Sequence, residues 1–285
     1  MKRLIILAFI LMGFSNGNPT YRLFKENGKP IRYQKMIKQI ADADIVLFGE
    51  LHNNPISHWL ELQVTKDLYQ LKGEKLVLGA EMFEADNQEF VSKYVKREMD
   101  EESFMDTTRL WKNYKTDYKP LLDFAKKHNL HFVASNIPRR YASMVFRGGF
   151  EALEQLSDQE KSWIAPLPVK YDAELPGYKA MKKMGMHMNA DMLDNFPKAQ
   201  AIKDASMAHF ILENWSQGQQ FIHYNGAYHS NNYEGIIWYL KQANPDLKIV
   251  SIYTATAKNI RKMNPILKGK NTYCIVVPED MTKTY

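Results

Sequence analysis

The chain has 285 residues, of which 45% are hydrophobic and 25% are charged. These proportions are those of an ordinary globular protein with a proper core, and they exclude a disordered chain. The formal net charge of +6 is spread along helical patterns in which lysines alternate with acids, so no nucleic-acid partner is expected. The single cysteine, Cys274, excludes an internal disulfide and a cysteine-based metal cluster, and its apolar neighbours predict a buried side chain.

The first residues have the three-part order of a secretory signal. A basic segment, residues 1–3, precedes an apolar run over residues 4–14 that is too short to span a bilayer, and a small polar stretch follows. We therefore expect residues 1–17 to be a signal peptide and residues 18–285 to be an exported domain, periplasmic or associated with the cell envelope. The signal carries no cysteine, so a lipid anchor is not expected. The alternatives are a buried first strand and an uncleaved anchor.

Apolar runs typical of strands then alternate with helical patterns along the chain. After a small hairpin around residues 27–28, the predicted strands cover 44–49, 75–81, 131–136, 220–224, 248–253 and 272–277. The predicted helices cover 33–41, 55–71, 87–99, 102–114, 121–128, 199–215 and 233–242. This alternation predicts an α/β fold with a mainly parallel sheet flanked by helices. Residues 138–197 hold no comparable strand, so we expect them to form a helical cap, an insertion over the carboxyl ends of the strands.

Acidic and imidazole side chains follow several of the predicted strands. Glu50 and His52 end the first strand, Glu81 ends the second, and His229 follows the strand 220–224. Because the carboxyl ends of parallel strands meet at one edge of a sheet, we expect these side chains to lie close together. Such groups can bind a divalent metal or exchange protons, and they are the predicted catalytic or metal-binding residues. The alternative is a structural role, with Glu50 capping the next helix.

Other side chains near the same edge could contact an anionic ligand. His58 lies on the first turns of the helix that follows His52, and a surface helix position is its alternative. Asn136 ends the third strand and is followed by Arg139 and Arg140, which supply two guanidinium groups for carboxylates or propionates. A merely solvated basic pair is the alternative for the two arginines.

A methionine-rich stretch lies within the predicted cap. Met181, Met184, Met188 and Met192 fall at i, i+3, i+7 and i+11, on one face of a predicted helix. One interpretation is a flexible apolar face that closes over the core. The other is that this face covers a flat apolar ligand such as haem, with His187 or a tyrosine supplying an axial atom to the iron.

These motifs together resemble the ChaN-like haem-binding proteins, within the wider Tiki/TraB and erythromycin-esterase-like superfamily. The matching stretches are residues 49–55 with His58, 79–84, 111–114, 118–122, 134–139, 203–208 and 225–229. They come in the expected order and span about residues 43–235. The resemblance implies an exported protein of iron or haem uptake that binds haem in a cleft under the cap. It also implies tyrosine ligation of iron, a homodimer and an outer-membrane haem receptor as partners.

Under this resemblance, the expected haem contacts are drawn from the motifs and the cap. They are His52, His58, Asn136, Arg139, Arg140, Tyr178, His187, Tyr228 and His229. Tyr178, Tyr171 and Tyr228 are the candidate iron ligands, and the sequence does not choose among them. The alternative function is a metal-dependent hydrolase, esterase-like or peptidase-like. In it Glu50, His52, Glu81 and His229 bind a divalent metal or exchange protons, as the motif acids and histidines do in the hydrolytic branches of the superfamily.

Overall fold

The computed structural model describes residues 19–285, so the expected signal peptide lies outside the described residues. Seven strands form one sheet. They are β1 (Arg22–Lys25), β2 (Ile45–Glu50), β3 (Leu76–Glu84), β4 (Phe132–Asn136), β5 (Gln220–Gly226), β6 (Ile249–Ala257) and β7 (Tyr273–Pro278). The order across the sheet is β1-β7-β6-β2-β5-β3-β4, and β1 alone pairs antiparallel to its neighbour. The predicted mainly parallel α/β sheet is confirmed.

Ten α-helices surround this sheet in the described part of the chain. They are α1 (Tyr33–Ile40), α2 (Pro55–Lys72), α3 (Gln88–Val95), α4 (Glu101–Thr107), α5 (Lys119–His128), α6 (Arg139–Gly148), α7 (Asp158–Lys161), α8 (Pro176–Met184), α9 (Ala190–Glu213) and α10 (Ile236–Ala243). A π-helical turn, Tyr114–Tyr118, precedes α5. Within residues 19–285, every helix is too short or too polar to cross a lipid bilayer.

The alternation of side chains along β2 divides the core between the two faces of the sheet. Val46 and Phe48 pack with α1, α2, α3 and α5 on one face, whereas Ile45 and Leu47 pack with α9 and α10 on the other. All four side chains are fully buried. A parallel strand covered on both faces is apolar at successive positions, which explains why these strands are continuous apolar runs in the sequence. The predicted burial of Cys274, in β7, is confirmed.

The structure breaks the predicted helical sequence at two places. The first lies between the predicted helices 87–99 and 102–114, which are both shorter, as α3 and α4: α4 ends at Thr107, and α3 ends at Val95 because Arg97 just after it adopts a left-handed backbone with φ 65°. The side chain of Asp100 then accepts a hydrogen bond from Ser103 N at 2.8 Å and starts α4 as its N-cap. The second interruption separates α8 from α9 at residues 185–189, where Asn189 caps α9.

This second break changes the interpretation of the methionine stretch. The four methionines do not lie on one helical face, since Met181 and Met184 are on α8, Met188 is in the turn and Met192 is on α9. That prediction is wrong because the chain turns at Gly185. Met181 is buried, whereas Met184 and Met188 are exposed. The helix α9 also begins nine residues before its predicted start, and it runs through Pro197.

Candidate functional site

The central strands β2, β5 and β3 bring two glutamates to one point of the sheet edge. Glu50, the last residue of β2, pairs with Gly226, the last residue of β5. The pairing of β3 with β4 shifts register between Ala80 and Glu84, and Glu81 lies in this irregular segment. A bulge of this kind re-aims a side chain. Glu81 Oε2 accepts a hydrogen bond from Gly226 N at 2.7 Å, so both acids flank the end of the strand between them.

The carboxylate of Glu50 organises a first network of buried side chains. Its Oε1 accepts hydrogen bonds from His52 Nδ1 at 2.5 Å and from the Tyr118 hydroxyl at 2.9 Å. Its Oε2 lies 3.0 Å from His58 Nδ1. On the far side of the His58 ring, Nε2 lies 3.3 Å from Asp117 Oδ2. The neighbouring Glu61, one helical turn beyond His58 on α2, completes what we call the first network: Glu50, His52, His58, Glu61 and Asp117.

The charges of the first network follow from burial and from these contacts. Burial raises the pKa of Glu50, but the hydrogen bond from His52 and the close imidazole of His58 outweigh it and lower the pKa to about 2. Burial lowers the pKa of His58, yet the adjacent Glu50 and Glu61 raise it to about 11. For Glu61, burial and then the charge of Glu50 raise the pKa well above its usual range. In this arrangement Glu50 is the carboxylate that holds the negative charge more strongly.

A second network places His229 between two carboxylates. Its Nε2 lies 3.1 Å from Glu81 Oε1, and its Nδ1 lies 2.5 Å from Asp204 Oδ1. Asp204 also accepts a hydrogen bond from the Tyr178 hydroxyl at 3.2 Å. Burial lowers the pKa of His229, but the charges of Glu81 and Asp204 outweigh it and raise the pKa to about 10. His229 is therefore an imidazolium held by one strand residue and one helix residue.

A glycine allows the two networks to approach each other. A Cβ atom built on Gly226 would lie 2.6 Å from His52 Nε2 and 3.5 Å from Glu81 Oε2, so a larger residue would displace the His52 ring. His52 packs edge-on against Trp111, with ring centroids 4.9 Å apart. The side chain of His52 is 34% exposed, whereas Glu50, Glu81 and His229 are buried. His52 is thus the solvent-facing member of the site.

The predicted quartet of Glu50, His52, Glu81 and His229 is gathered at one sheet edge but divided between the two networks. Both ring nitrogens of His229 face carboxylates, and Glu81 Oε2 is occupied by a backbone N–H. The four side chains therefore do not converge on one metal position. The ion pairs that hold Glu81 and His229 satisfy these groups without a cation.

The remaining residues that were predicted to contact haem differ in burial and in their hydrogen-bond partners. Arg140 Nη1 donates to Asp86 Oδ2 at 2.7 Å, and its guanidinium stacks on the Tyr141 ring, which directs it away from the networks. His58 is buried within the first network, and Asn136 is buried with Oδ1 lacking a hydrogen-bond partner among the described residues. His187 is exposed in the turn between α8 and α9.

The three candidate tyrosines differ in accessibility. Tyr178 is buried, and its hydroxyl is engaged by Asp204. The hydroxyl of Tyr171 is buried without a hydrogen-bond partner in the described part of the chain, and its ring lies 5.4 Å from that of Tyr178. Tyr228, next to His229, is 55% exposed. Among the three, Tyr228 presents the accessible phenol.

A cleft of about 270 Å³ lies between α6, α8 and α9, and we call it the cap cleft. Its lining includes the apolar side chains of Phe146, Met181, Met188 and Phe196 and the cations of Arg139 and Lys203. Gln200 also lines it, and the amide nitrogen of Gln200 lies 3.0 Å from His229 Nδ1. A smaller hollow of about 80 Å³ shares Met181 and Gln200 and reaches Tyr228. The cap cleft therefore adjoins the second network.

Sequence reasoning missed Asp117, Asp204 and Lys203 as site residues. Asp117 lies in a π-helical turn, which leaves no regular spacing to detect. Asp204 is a buried acid among the apolar residues of α9, and an acid in such a position is costly unless it is paired. An acid among apolar residues of a predicted helix could therefore have indicated a buried, paired carboxylate. Glu61 was also missed, although its position three residues after His58 on a helix placed the two side chains on one face.

Comparisons with known proteins agree with this geometry. The sequence model of a family described as haem-binding uptake, Tiki superfamily, ChaN, matches residues 36–240. No curated protein sequence gives a significant match. Among solved structures, ChaN of Campylobacter jejuni, described with cofacial haem binding, has a TM-score of 0.69 at 17% identity, and the match covers 90% of this chain and 96% of that chain.

Two further solved structures are similar. A protein from Bacillus cereus has a TM-score of 0.52 at 13% identity, covering 86% of this chain and 90% of that one. An erythromycin esterase has a TM-score of 0.48 at 10% identity, covering 84% and 77%. At these identities the first two matches show a shared fold. The family match covers well over half of the chain and confirms the resemblance of the motifs, so this chain belongs to the haem-binding uptake family of ChaN, within the Tiki superfamily.

Proposed function

We propose that this protein is an exported haem-binding protein of iron or haem uptake that binds haem in the cap cleft. The observation that carries the proposal is the composition of the cleft, which combines apolar side chains with two cations beside the strand ends. Haem has the matching chemistry, because a flat apolar macrocycle carries two propionates at one edge. Membership of the haem-binding family supports the same ligand.

The cap cleft has two cations that are available to bind the propionates of haem. Arg139 and Lys203 make no ion pair with any carboxylate of residues 19–285, whereas the neighbouring Arg140 is bound to Asp86. Two uncommitted cations at the rim of an apolar cleft are available for two propionates. Phe146, Met188 and Phe196 would pack against the macrocycle.

The accessible phenol of Tyr228 is the best-placed candidate for the iron ligand. Tyr228 lines the hollow that shares Met181 and Gln200 with the cap cleft, whereas Tyr178 is engaged by Asp204. Iron in bound haem accepts a tyrosine oxygen. The cofacial haems described for ChaN of Campylobacter jejuni support a homodimer in the same proposal. The expected signal supports export, and the uptake role supports an outer-membrane haem receptor as partner.

Substitution of Arg139 tests haem binding in the cap cleft. We expect wild-type protein titrated with hemin to develop a Soret band with a defined stoichiometry, and Arg139→Ala to raise the Kd by about 10-fold, since one charged hydrogen bond is lost. Arg140→Ala is the matched control, because its guanidinium already pairs with Asp86, and its Kd should stay within about 2-fold of wild type. Equal effects of the two substitutions, or hemin binding no tighter than to an unrelated basic protein, would reject the cap cleft as the haem site.

A second candidate function is hydrolysis, favoured by the orientation of His52. Its Nδ1 is held by Glu50 at 2.5 Å, and its Nε2 faces Gly226 and Glu81 at the solvent-exposed side of the site. An imidazole oriented by a carboxylate, with the other nitrogen accessible, is the arrangement of a general base. Esterase-like or peptidase-like chemistry would use this pair, with Glu81 beside it.

Substitution of His52 tests the hydrolytic alternative. With ester and peptide substrates, His52→Gln should lower kcat about 100-fold or more, which is the usual contribution of a general base. His209→Gln, on the outer part of α9, should leave kcat unchanged. Turnover that survives in both variants would assign the activity to a contaminant and leave haem binding as the sole function.

A further inference from the structure

We propose that Glu50, His58 and Glu61, within the first network, bind a divalent metal ion, with Zn²⁺ as the best fit. One ligand atom from each of these three side chains can be chosen so that all lie within 4.8 Å of one another. The three residues come from the end of β2 and from adjacent turns of α2. None of them lines the cap cleft, so the proposed ion is separate from the haem site.

Unpaired carboxylate oxygens are the first indication of a ligand. Glu61 is fully buried, and its Oε1 has no hydrogen-bond partner among the described residues. Glu50 Oε2 is also buried, and its 3.0 Å contact with His58 Nδ1 lacks hydrogen-bond geometry. Buried acceptors without partners are destabilising, and native proteins rarely leave them so. A cation bound between the three side chains would supply both oxygens with a partner.

The surroundings of His58 provide a second and independent indication. Its Nε2 lies 3.2 Å from the carbonyl oxygen of His52 and 3.3 Å from Asp117 Oδ2. Two acceptors on this side hold a proton on Nε2. A metal ion would displace the proton of Nδ1, and the lone pair then left on Nδ1 is directed at the two glutamates. A metal-bound imidazole has this arrangement, since its other nitrogen donates to a carboxylate or carbonyl that fixes the ring.

A further layer of hydrogen bonds holds Asp117 in place. Its Oδ2 accepts from Asn113 Nδ2 at 2.5 Å and from the Thr284 hydroxyl at 2.7 Å. Asn113 Nδ2 also donates to the carbonyl oxygen of His52 at 2.9 Å, so both acceptors on His58 Nε2 are themselves fixed. The imidazole is therefore oriented before any ion binds, and pre-orientation of this kind raises metal affinity.

The donor set and the charge select the class of ion. One imidazole nitrogen and two carboxylates suit Zn²⁺, which prefers four ligands including nitrogen. Ca²⁺ and Mg²⁺ require six or more ligands that are mostly oxygens or waters, which this buried trio does not provide. A dication also balances the two carboxylates, so that Glu61 can ionise without leaving a net buried charge.

Metal analysis of the full-length protein and two variants tests the proposal. Wild-type protein purified without chelator should retain about one Zn²⁺ per chain after dialysis, and stripped protein should take up added Zn²⁺ with the same stoichiometry. Glu61→Gln, which preserves the shape of the side chain, should weaken Zn²⁺ binding by about 100-fold or more, and Asp117→Asn by about 10-fold to 100-fold. Calorimetric titration with Zn²⁺ alone measures both effects.

Asp86→Asn is the matched control, because Asp86 is a largely buried carboxylate that pairs with Arg109 and Arg140 outside both networks. It should bind Zn²⁺ as wild type does. Unchanged Zn²⁺ affinity in Glu61→Gln would overturn the proposal, since the ion would then bind elsewhere.

If Glu61→Gln does not fold, two measurements on wild-type protein test the proposed metal site instead. Stripped protein loaded with Co²⁺ should show the visible absorption of a low-coordinate site, and added Zn²⁺ should raise its Tm by several degrees through preferential binding to the folded state. Absence of both responses, together with no retained metal, would overturn the proposal. Hemin titration of the same stripped protein distinguishes this failure from a failure of the haem function.

Discussion

Replacing His229 by alanine is expected to lower the free energy of unfolding by about 3–5 kcal/mol. The substitution removes the one imidazolium between Glu81 and Asp204, and both carboxylates stay buried in the second network. An uncompensated buried charge costs far more than the loss of an exposed ion pair. Urea denaturation at pH 7, followed by far-UV circular dichroism, measures the change.

Two further variants separate this effect from simple loss of packing. His209→Ala removes a half-buried helix histidine that has no carboxylate within ion-pair distance in the described chain, and it should cost about 1 kcal/mol or less. Adding Asp204→Asn to His229→Ala should restore part of the lost stability, because one of the two stranded charges is removed. If the double variant is no more stable than His229→Ala, buried charge is not the cause.

Wild-type stability is expected to fall as the pH rises from about 7 to about 10. Unfolded His229 loses its proton near its ordinary pKa of 6.5, whereas the folded protein keeps the proton up to a pKa of about 10. Between these values the folded state binds more protons, so the free energy of unfolding decreases as pH rises. The contribution is complete below pH 6.5, falls by up to about 1.4 kcal/mol per pH unit, and is lost above about pH 10.

The pH dependence is measured by urea denaturation at pH 6, 7, 8 and 9. His229→Gln provides the reference, because it keeps a polar side chain but cannot take up a proton. The difference in stability between wild type and His229→Gln should shrink steadily with rising pH. His58 also has a raised pKa, but it is common to both proteins and cancels in the difference. A difference that stays constant over this range would contradict a charged His229.

The position of Glu50 and Glu81 could be predicted from the sequence because each follows a continuous apolar run, which is a signal between residues close together in the chain. Val46 and Phe48 belong to a continuous apolar run that only a strand covered on both faces requires, and Glu50 ends that run. Glu81 was located by the same argument, although β3 continues three residues beyond it. Parallel pairing of β2, β5 and β3 then brings the strand ends together.

The partners of these side chains could not be predicted in the same way, because they come from distant parts of the chain. Asp204 reaches His229 from the middle of α9, and Asp117 reaches His58 from an irregular turn. No spacing in the sequence links such residues. The predicted methionine face failed for a related reason, since one break at Gly185 changes the direction of every later side chain in the cap.

The ion pair between Asp204 and His229 has a mechanical consequence for the lid of the cleft. This ion pair holds α9 against the edge of the sheet. Moving α9 away from the sheet as a rigid body would separate two buried opposite charges. Among residues 19–285, the neighbouring α8 makes no ion pair with a strand residue. It is held by the hydroxyl of Tyr178 on Asp204, by an exposed ion pair of Lys182 with Asp194 on α9, and by Gly177 N, which donates to Glu234. A bulky ligand is therefore accommodated more easily if α8 rotates outward about residues 185–189 than if α8 and α9 move away from the sheet together.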